Sequence, residues 1–230
     1  MKVFTIIQKA EKQKTYLNSL HKYLFVVFLL VFTFTYGQGE KDSIRKLKKI
    51  GILYNSAKQN NVLFFDKDYN YKTDVLKFQF FYNLKDWEQW DFNLILQPQV
   101  QIANHQLLNE FFITPDEPDY LFLREKFTQK KTISIYAFEL GFQLRRTLFK
   151  NISFEATLGL GAAYIDVETE RLAQGFTFIE NFSLGLVSSF DNAELYLGTN
   201  LGHVSNFNIQ MPNSGYNLLG FEIGYRIYLK

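Results

Sequence analysis

Apolar and polar side chains alternate with period two in a series of separate stretches running almost to the C-terminus. The clearest is 152–164. There Ile152, Phe154, Ala156, Leu158, Leu160, Ala162 and Tyr164 fall on one side, and Ser153, Glu155, Thr157, Gly159, Gly161 and Ala163 on the other. A 3.6-residue repeat would mix the two sets, so the spacing predicts a strand with one apolar face. In 132–146 the apolar set is Tyr136, Phe138, Leu140, Phe142 and Leu144, against Glu139, Gly141, Gln143 and Arg145. In 91–102, Phe92, Leu94, Leu96, Val100 and Ile102 oppose Asn93, Gln97, Gln99 and Gln101. Residues 75–82, 176–188, 193–205 and 217–229 repeat the pattern, and a weaker stretch at 50–57 brings the count to eight.

The small polar faces suit the inside of a narrow barrel and the wide apolar faces suit lipid. Connections near 57–73, 104–131, 165–174 and 206–215 are long, and those near 84–89, 148–151 and 190–192 are short. That alternation is the one expected of an outer-membrane barrel with both chain ends in the periplasm. The predicted fold is therefore all-β: an eight-stranded antiparallel transmembrane β-barrel of a bacterial outer membrane, spanning 38–230. A soluble barrel of lipocalin type would bury the apolar faces and expose the polar ones. The Gly, Ser, Gln and Glu sets are too small to balance the aromatic sets as a solvent surface.

The first 37 residues carry a different pattern. Lys2, Lys9, Lys12, Lys14 and Lys22, opposed only by Glu11, precede the apolar run Tyr23–Tyr36 and then Gly37-Gln38-Gly39. A basic region, a short apolar region and a small residue read as a secretory signal peptide over 1–37, cleaved after Gly37. The competing reading is an uncleaved anchor helix, which needs about 20 apolar residues. Composition agrees with a membrane barrel: 47% of residues are hydrophobic yet mean hydropathy is −0.13, and Phe (25) and Tyr (14) dominate the aromatics. With no cysteine, a disulfide scaffold, a Cys-ligated zinc site and a thiol nucleophile are all excluded. The formal charge of +2 turns to about −2 once 1–37 is removed, so nothing points to nucleic acid.

Candidate chemistry is sparse. Downstream of residue 37 the histidines are His105 and His203. His105 opens the Pro-containing segment near Pro115 and Pro118 and reads as a loop residue without a partner. His203 lies at the outer end of the seventh stretch, where Leu195, Leu197, Thr199, Leu201, His203 and Ser205 share the lipid-facing side. On the last stretch Asn217, Leu219, Phe221, Ile223, Tyr225 and Ile227 point outward. His203, Ser205 and Asn217 should thus meet on the outer wall near the extracellular rim. A hydroxyl two residues from an imidazole on one face fits a nucleophile–base pair. Polar groups at that depth also suit simple headgroup contact. Glu222 has interior parity and is expected to pair with Arg226, and the basic run Arg45–Lys49 reads as a solvated lead-in. No carboxylate cluster suggests a metal, so the expected site needs neither metal nor cofactor.

The segment His203-Val204-Ser205-Asn206 through Pro212-Asn213-Ser214-Gly215 resembles the signature of the lipid A 3-O-deacylases (the PagL family, also called acyloxyacyl hydrolases). Gly159-Leu160-Gly161, Glu170-Arg171-Leu172 and Gly175-Phe176-Thr177-Phe178 resemble the family's preceding strands. The resemblance covers roughly 150–230. It implies an eight-stranded outer-membrane serine esterase that removes an ester-linked acyl chain from lipid A (lipopolysaccharide) in the outer leaflet. Ser205 would be the nucleophile, His203 the general base, and Asn206 and Asn213 oxyanion or substrate-binding residues, with Asn213 the favoured donor. Two positions depart from the family. Asn217 stands where an acidic triad member is expected, and Asn208 where glycine is usual. Asn217 could orient the imidazole, another carboxylate could substitute for the acid, or turnover could be slow or lost. Glu180 is the one nearby outward carboxylate, but counting along its strand places it too deep. The alternative function is a non-catalytic structural or lipid-binding barrel, and the polar spot on the wall leaves homodimerisation open.

Overall fold

The computed structural model describes residues 47–229; the expected signal peptide at 1–37 lies outside them. Eight antiparallel strands close into a ring in sequence order, each hydrogen-bonded to the next and the last to the first. They are β1 (Leu47–Lys58), β2 (Tyr69–Asp86), β3 (Trp90–Leu107), β4 (Lys131–Phe149), β5 (Ile152–Ile165), β6 (Gly175–Phe190), β7 (Ala193–Ser205) and β8 (Tyr216–Tyr228). Closure leaves no free sheet edge, the condition for strands in a bilayer. Turns at 87–89, 150–151 and 191–192 are short at one end. The connections at 59–68, 108–130, 166–174 and 206–215 are long at the other. The 108–130 connection carries a 3-10 turn (Glu110–Phe112) and a short helix α1 (Tyr120–Thr128), neither signalled by period-two alternation.

Two strands, β2 and β3, run well past their predicted limits, each to 18 residues. The reason is an inversion of polarity along each strand. On β2, Leu76 and Phe78 face out over polar interior residues such as Lys77 and Gln79. Toward the long-loop end, Asn70 and Lys72 face out and Tyr69 and Tyr71 are buried. β3 changes in the same way at Asn104 and Gln106, and β4 at Thr132 and Ser134. Lipid surrounds the first zone and water the second, so the same alternation reverses its sense at the membrane boundary.

The lumen is filled in two layers. In the membrane zone, Glu139 accepts hydrogen bonds from Lys77 (3.1 Å), Gln97 (2.7 Å), Gln99 (2.7 Å) and Asn181 (2.6 Å). Near the short-turn end, Arg226 donates twice to Glu155 (2.9 and 2.8 Å), and Lys49 bridges Glu194 at 2.9 Å. Lys49 is thus a buried structural cation rather than part of a solvated lead-in. Glu222 does not pair with Arg226, which Glu155 holds; it accepts from Tyr196 Oη at 3.1 Å. At the long-loop end the lumen is apolar, packed with Tyr71, Leu107, Ile133, Ile135, Ile165, Leu172, Ile179, Val204 and Tyr216. This plug backs the ends of β7 and β8.

Candidate functional site on the outer wall

β7 and β8 pair with His203 opposite Asn217, and β6 and β7 with Glu180 opposite His203 and Phe178 opposite Ser205. The inward side chains Val204 and Tyr216 anchor these strands in the apolar plug, which leaves His203 and Asn217 facing outward. His203 Nδ1 lies 2.7 Å from Asn217 Oδ1. An amide oxygen only accepts, so the ring nitrogen in this contact carries the proton and Nε2 is left as the acceptor. Ser205, two positions further along the same face, ends β7 and is 8% exposed. Its carbonyl accepts from Thr177 Oγ1 at 2.9 Å, which ties the strand end to β6.

Gly215 fits between these groups. It has φ +61°, and a Cβ there would stand 2.7 Å from the Val204 carbonyl oxygen, 3.2 Å from His203 Cε1 and 3.2 Å from Ser205 Cβ. The position therefore requires glycine, both for its backbone conformation and to keep the space between imidazole and serine open.

Downstream of Ser205, Asn206-Phe207-Asn208-Ile209 forms a tight turn closed by Ile209 N–H to Asn206 O at 3.0 Å, with φ 52° at Phe207 and 61° at Asn208. Positive φ at both central residues is the pattern of a type I′ turn. Asn208 supplies the conformation glycine would give, since asparagine tolerates the left-handed region. Phe207 is a bulky residue held there under strain, and its ring packs edge-on against Phe178 with centroids 4.8 Å apart. Asn206 is fully buried. Its N–H donates to Asn213 Oδ1 (2.7 Å) and its Nδ2 to the Gln210 carbonyl (2.8 Å). Its backbone N–H and one of its two side-chain N–H groups therefore serve the loop. Asn213 Nδ2 donates to Asn208 Oδ1 at 3.2 Å on the exposed side.

The 166–174 connection clamps this loop. Leu172 bridges Asn213, Ala173 N–H donates to the Pro212 carbonyl (2.9 Å), and Ser214 N–H to the Arg171 carbonyl (2.7 Å). Arg171 donates from Nε to the Gly215 carbonyl (2.6 Å) and from Nη2 to that of Ser214 (3.2 Å), while its guanidinium stacks over Tyr69. In the sequence, Arg171 stands out only as part of the Glu170-Arg171-Leu172 motif. The clamp becomes visible once two separate loops are seen side by side.

Two expectations are corrected. His105 is not a loop residue: it lies two residues before the end of β3, inside the barrel, bonded to Glu170 Oε2 (2.7 Å) and the Asn70 carbonyl (3.0 Å) and stacked on Tyr71. Tyr71 stacks in turn on Tyr216, so His105 belongs to the packing behind the wall. Glu180 does not lie too deep. Barrel stagger brings it level with His203, on the side away from Asn217.

A closed eight-stranded ring with an apolar outer wall, a filled lumen and a polar patch at one rim defines an outer-membrane β-barrel. A family model, lipid A 3-O-deacylase (PagL), matches residues 75–226, and the chain belongs to that family. Among solved structures it is similar to the outer membrane enzyme PagL, at 14% identity and TM-score 0.47, covering 79% of this chain and 99% of that one. It is also similar to Neisserial surface protein A (12%, TM-score 0.42, 79% and 97% covered) and to the Yersinia pestis outer membrane protein Ail (10%, TM-score 0.35, 79% and 100% covered). No curated protein sequence matches the chain significantly. The family acts on lipid A as an ester hydrolase, and its barrels sit in the bacterial outer membrane.

Proposed function

We propose that this barrel hydrolyses an acyl ester of lipid A with Ser205 as nucleophile and His203 as general base. The carrying observation is the 2.7 Å contact between His203 Nδ1 and Asn217 Oδ1 on the outer wall, which fixes the tautomer whose Nε2 can take a proton. Ser205 Oγ attacks the ester carbonyl and its proton passes to Nε2. The tetrahedral adduct then expels the sugar oxygen, which takes that proton back, and leaves an acyl-serine. Water attacks the acyl-serine by the same route and releases the fatty acid. Of the expected oxyanion donors, the Asn213 amide on the exposed side of the loop fits better than the fully buried Asn206.

Depth supports the same substrate. Along β7 and β8 the outward face changes from Leu201, Leu219 and Phe221 to His203 and Asn217, so the pair lies where hydrocarbon gives way to headgroup. Ester bonds of a lipid lie at that boundary. The test uses purified barrel with lipid A in mixed micelles, following released hydroxy fatty acid. The wild type should release it and Ser205→Ala should not. Release by both would remove Ser205 from the chemistry, and release from neither would favour the non-catalytic barrel.

A further inference from the structure

His203 has two neighbours across the sheet, and only one has been given work. Asn217 on β8 holds Nδ1 but is neutral, so it brings no full charge to an imidazolium. On β6, Glu180 pairs directly with His203 on the same outward face. Cβ atoms of such a pair lie about 4.5–5.5 Å apart. The groups around Glu180 on that wall are Phe178 and Phe182 on its own strand, Leu160 across β5 and Leu201 diagonally on β7. The Arg171 guanidinium, on the 166–174 connection before β6, is committed to the carbonyls of Ser214 and Gly215. Among the described residues no salt bridge engages Glu180, to His203 or to any Lys or Arg, so its carboxylate would act on the ring through space rather than by a direct ion pair. A half-buried carboxylate on a lipid-facing wall is costly without a cation, and the one side chain able to become a cation beside it is His203.

We infer that Glu180 is a positioning residue that stabilises the His203 imidazolium by charge during acyl transfer, while Asn217 holds the ring. One carboxylate usually does both jobs; here they are divided between the two strands flanking β7. The inference rests on the Ser205–His203 reading above. It goes beyond that reading in naming the source of the negative charge.

The experiment compares wild type, Glu180→Gln, Glu180→Asp, Asn217→Glu and the double variant Glu180→Gln/Asn217→Glu, each folded in detergent and checked for heat-modifiable migration. Two readouts are taken: kcat and KM on lipid A, and the rate at which an alkyl fluorophosphonate labels Ser205. Glu180→Gln should lower kcat and the labelling rate about tenfold or more with KM little changed, the scale of losing one charge a few ångströms from the imidazolium. Glu180→Asp should fall between Gln and wild type, and Asn217→Glu should restore most of the loss in the double variant. Unchanged kcat and labelling in Glu180→Gln, a loss confined to KM, or no restoration by Asn217→Glu overturns the inference. If Ser205 is labelled but lipid A is not cleaved, the substrate reading fails, while the labelling rates still decide the role of Glu180. If the wild type neither labels nor cleaves, both readings fall.

Discussion

An amide oxygen and a carboxylate oxygen accept the Nδ1 proton of an imidazole with similar geometry, but only the carboxylate brings a charge. In Ser-His-Asp sites that exchange costs roughly 10⁴ in turnover. Here the amide already presents its oxygen to His203, so the tautomer is right and the missing quantity is charge. Asn217→Glu in the otherwise wild-type barrel should therefore raise kcat, by no more than about tenfold if Glu180, paired with His203 on β6, supplies charge to the ring as inferred. A fall in kcat would show that the amide has a role of its own. Gly215 gives a second prediction at this scale. Gly215→Ala should abolish most turnover, since the methyl group would press on both His203 and Ser205 and the φ of +61° disfavours any side chain. Steady-state kinetics beside the heat-modifiability assay separates a blocked site from an unfolded barrel. The parity of His203, Ser205 and Asn217 was legible from alternation alone, because a one-residue slip would have reversed every face. Gly215 was visible as a motif letter, but its role depends on a loop geometry that no strand pattern encodes.

Strands pass information about depth only while their surroundings stay constant. The predicted limits of β2 and β3 stopped short of Tyr69 and Leu107 because the outward face there is polar and the inward face apolar, the reverse of the membrane zone. The same inversion hid His105, read as a loop residue though it lies within β3 against the Tyr71–Tyr216 stack. Glu180 was misplaced for a related reason: residue counts along one strand do not reveal the stagger between strands, which closure of the ring sets. At the level of elements, the clamp between the 166–174 and 206–215 loops carries the site's loop geometry. Arg171→Ala removes two donated hydrogen bonds to the carbonyls of Ser214 and Gly215. Each contributes about 1–2 kcal/mol at a half-exposed site. Turnover should fall several-fold or more while barrel content by circular dichroism is unchanged. Unaltered turnover would show that the loop holds its shape without the clamp.

The described barrel is a filled wall with its candidate site on the outside. Among the described residues, its lumen is filled by the Glu139 and Glu155 networks and by an apolar plug above them. Reconstituted in planar bilayers, the barrel should show no conductance steps at voltages where open porins conduct; discrete channels would contradict the filled lumen. That filling would serve the proposed site, because His203, Ser205 and Asn217 are carried by strands whose inner faces are packed and whose ends are tied to neighbouring loops. The central claim, that Ser205 removes an acyl chain from lipid A, is tested most directly by mass spectrometry of lipid A from bacteria expressing this chain or its Ser205→Ala variant. The wild-type chain should remove one hydroxyacyl mass, and the variant, equally abundant in the outer membrane, should leave lipid A intact. Equal loss with both chains, or no loss with either, would contradict it.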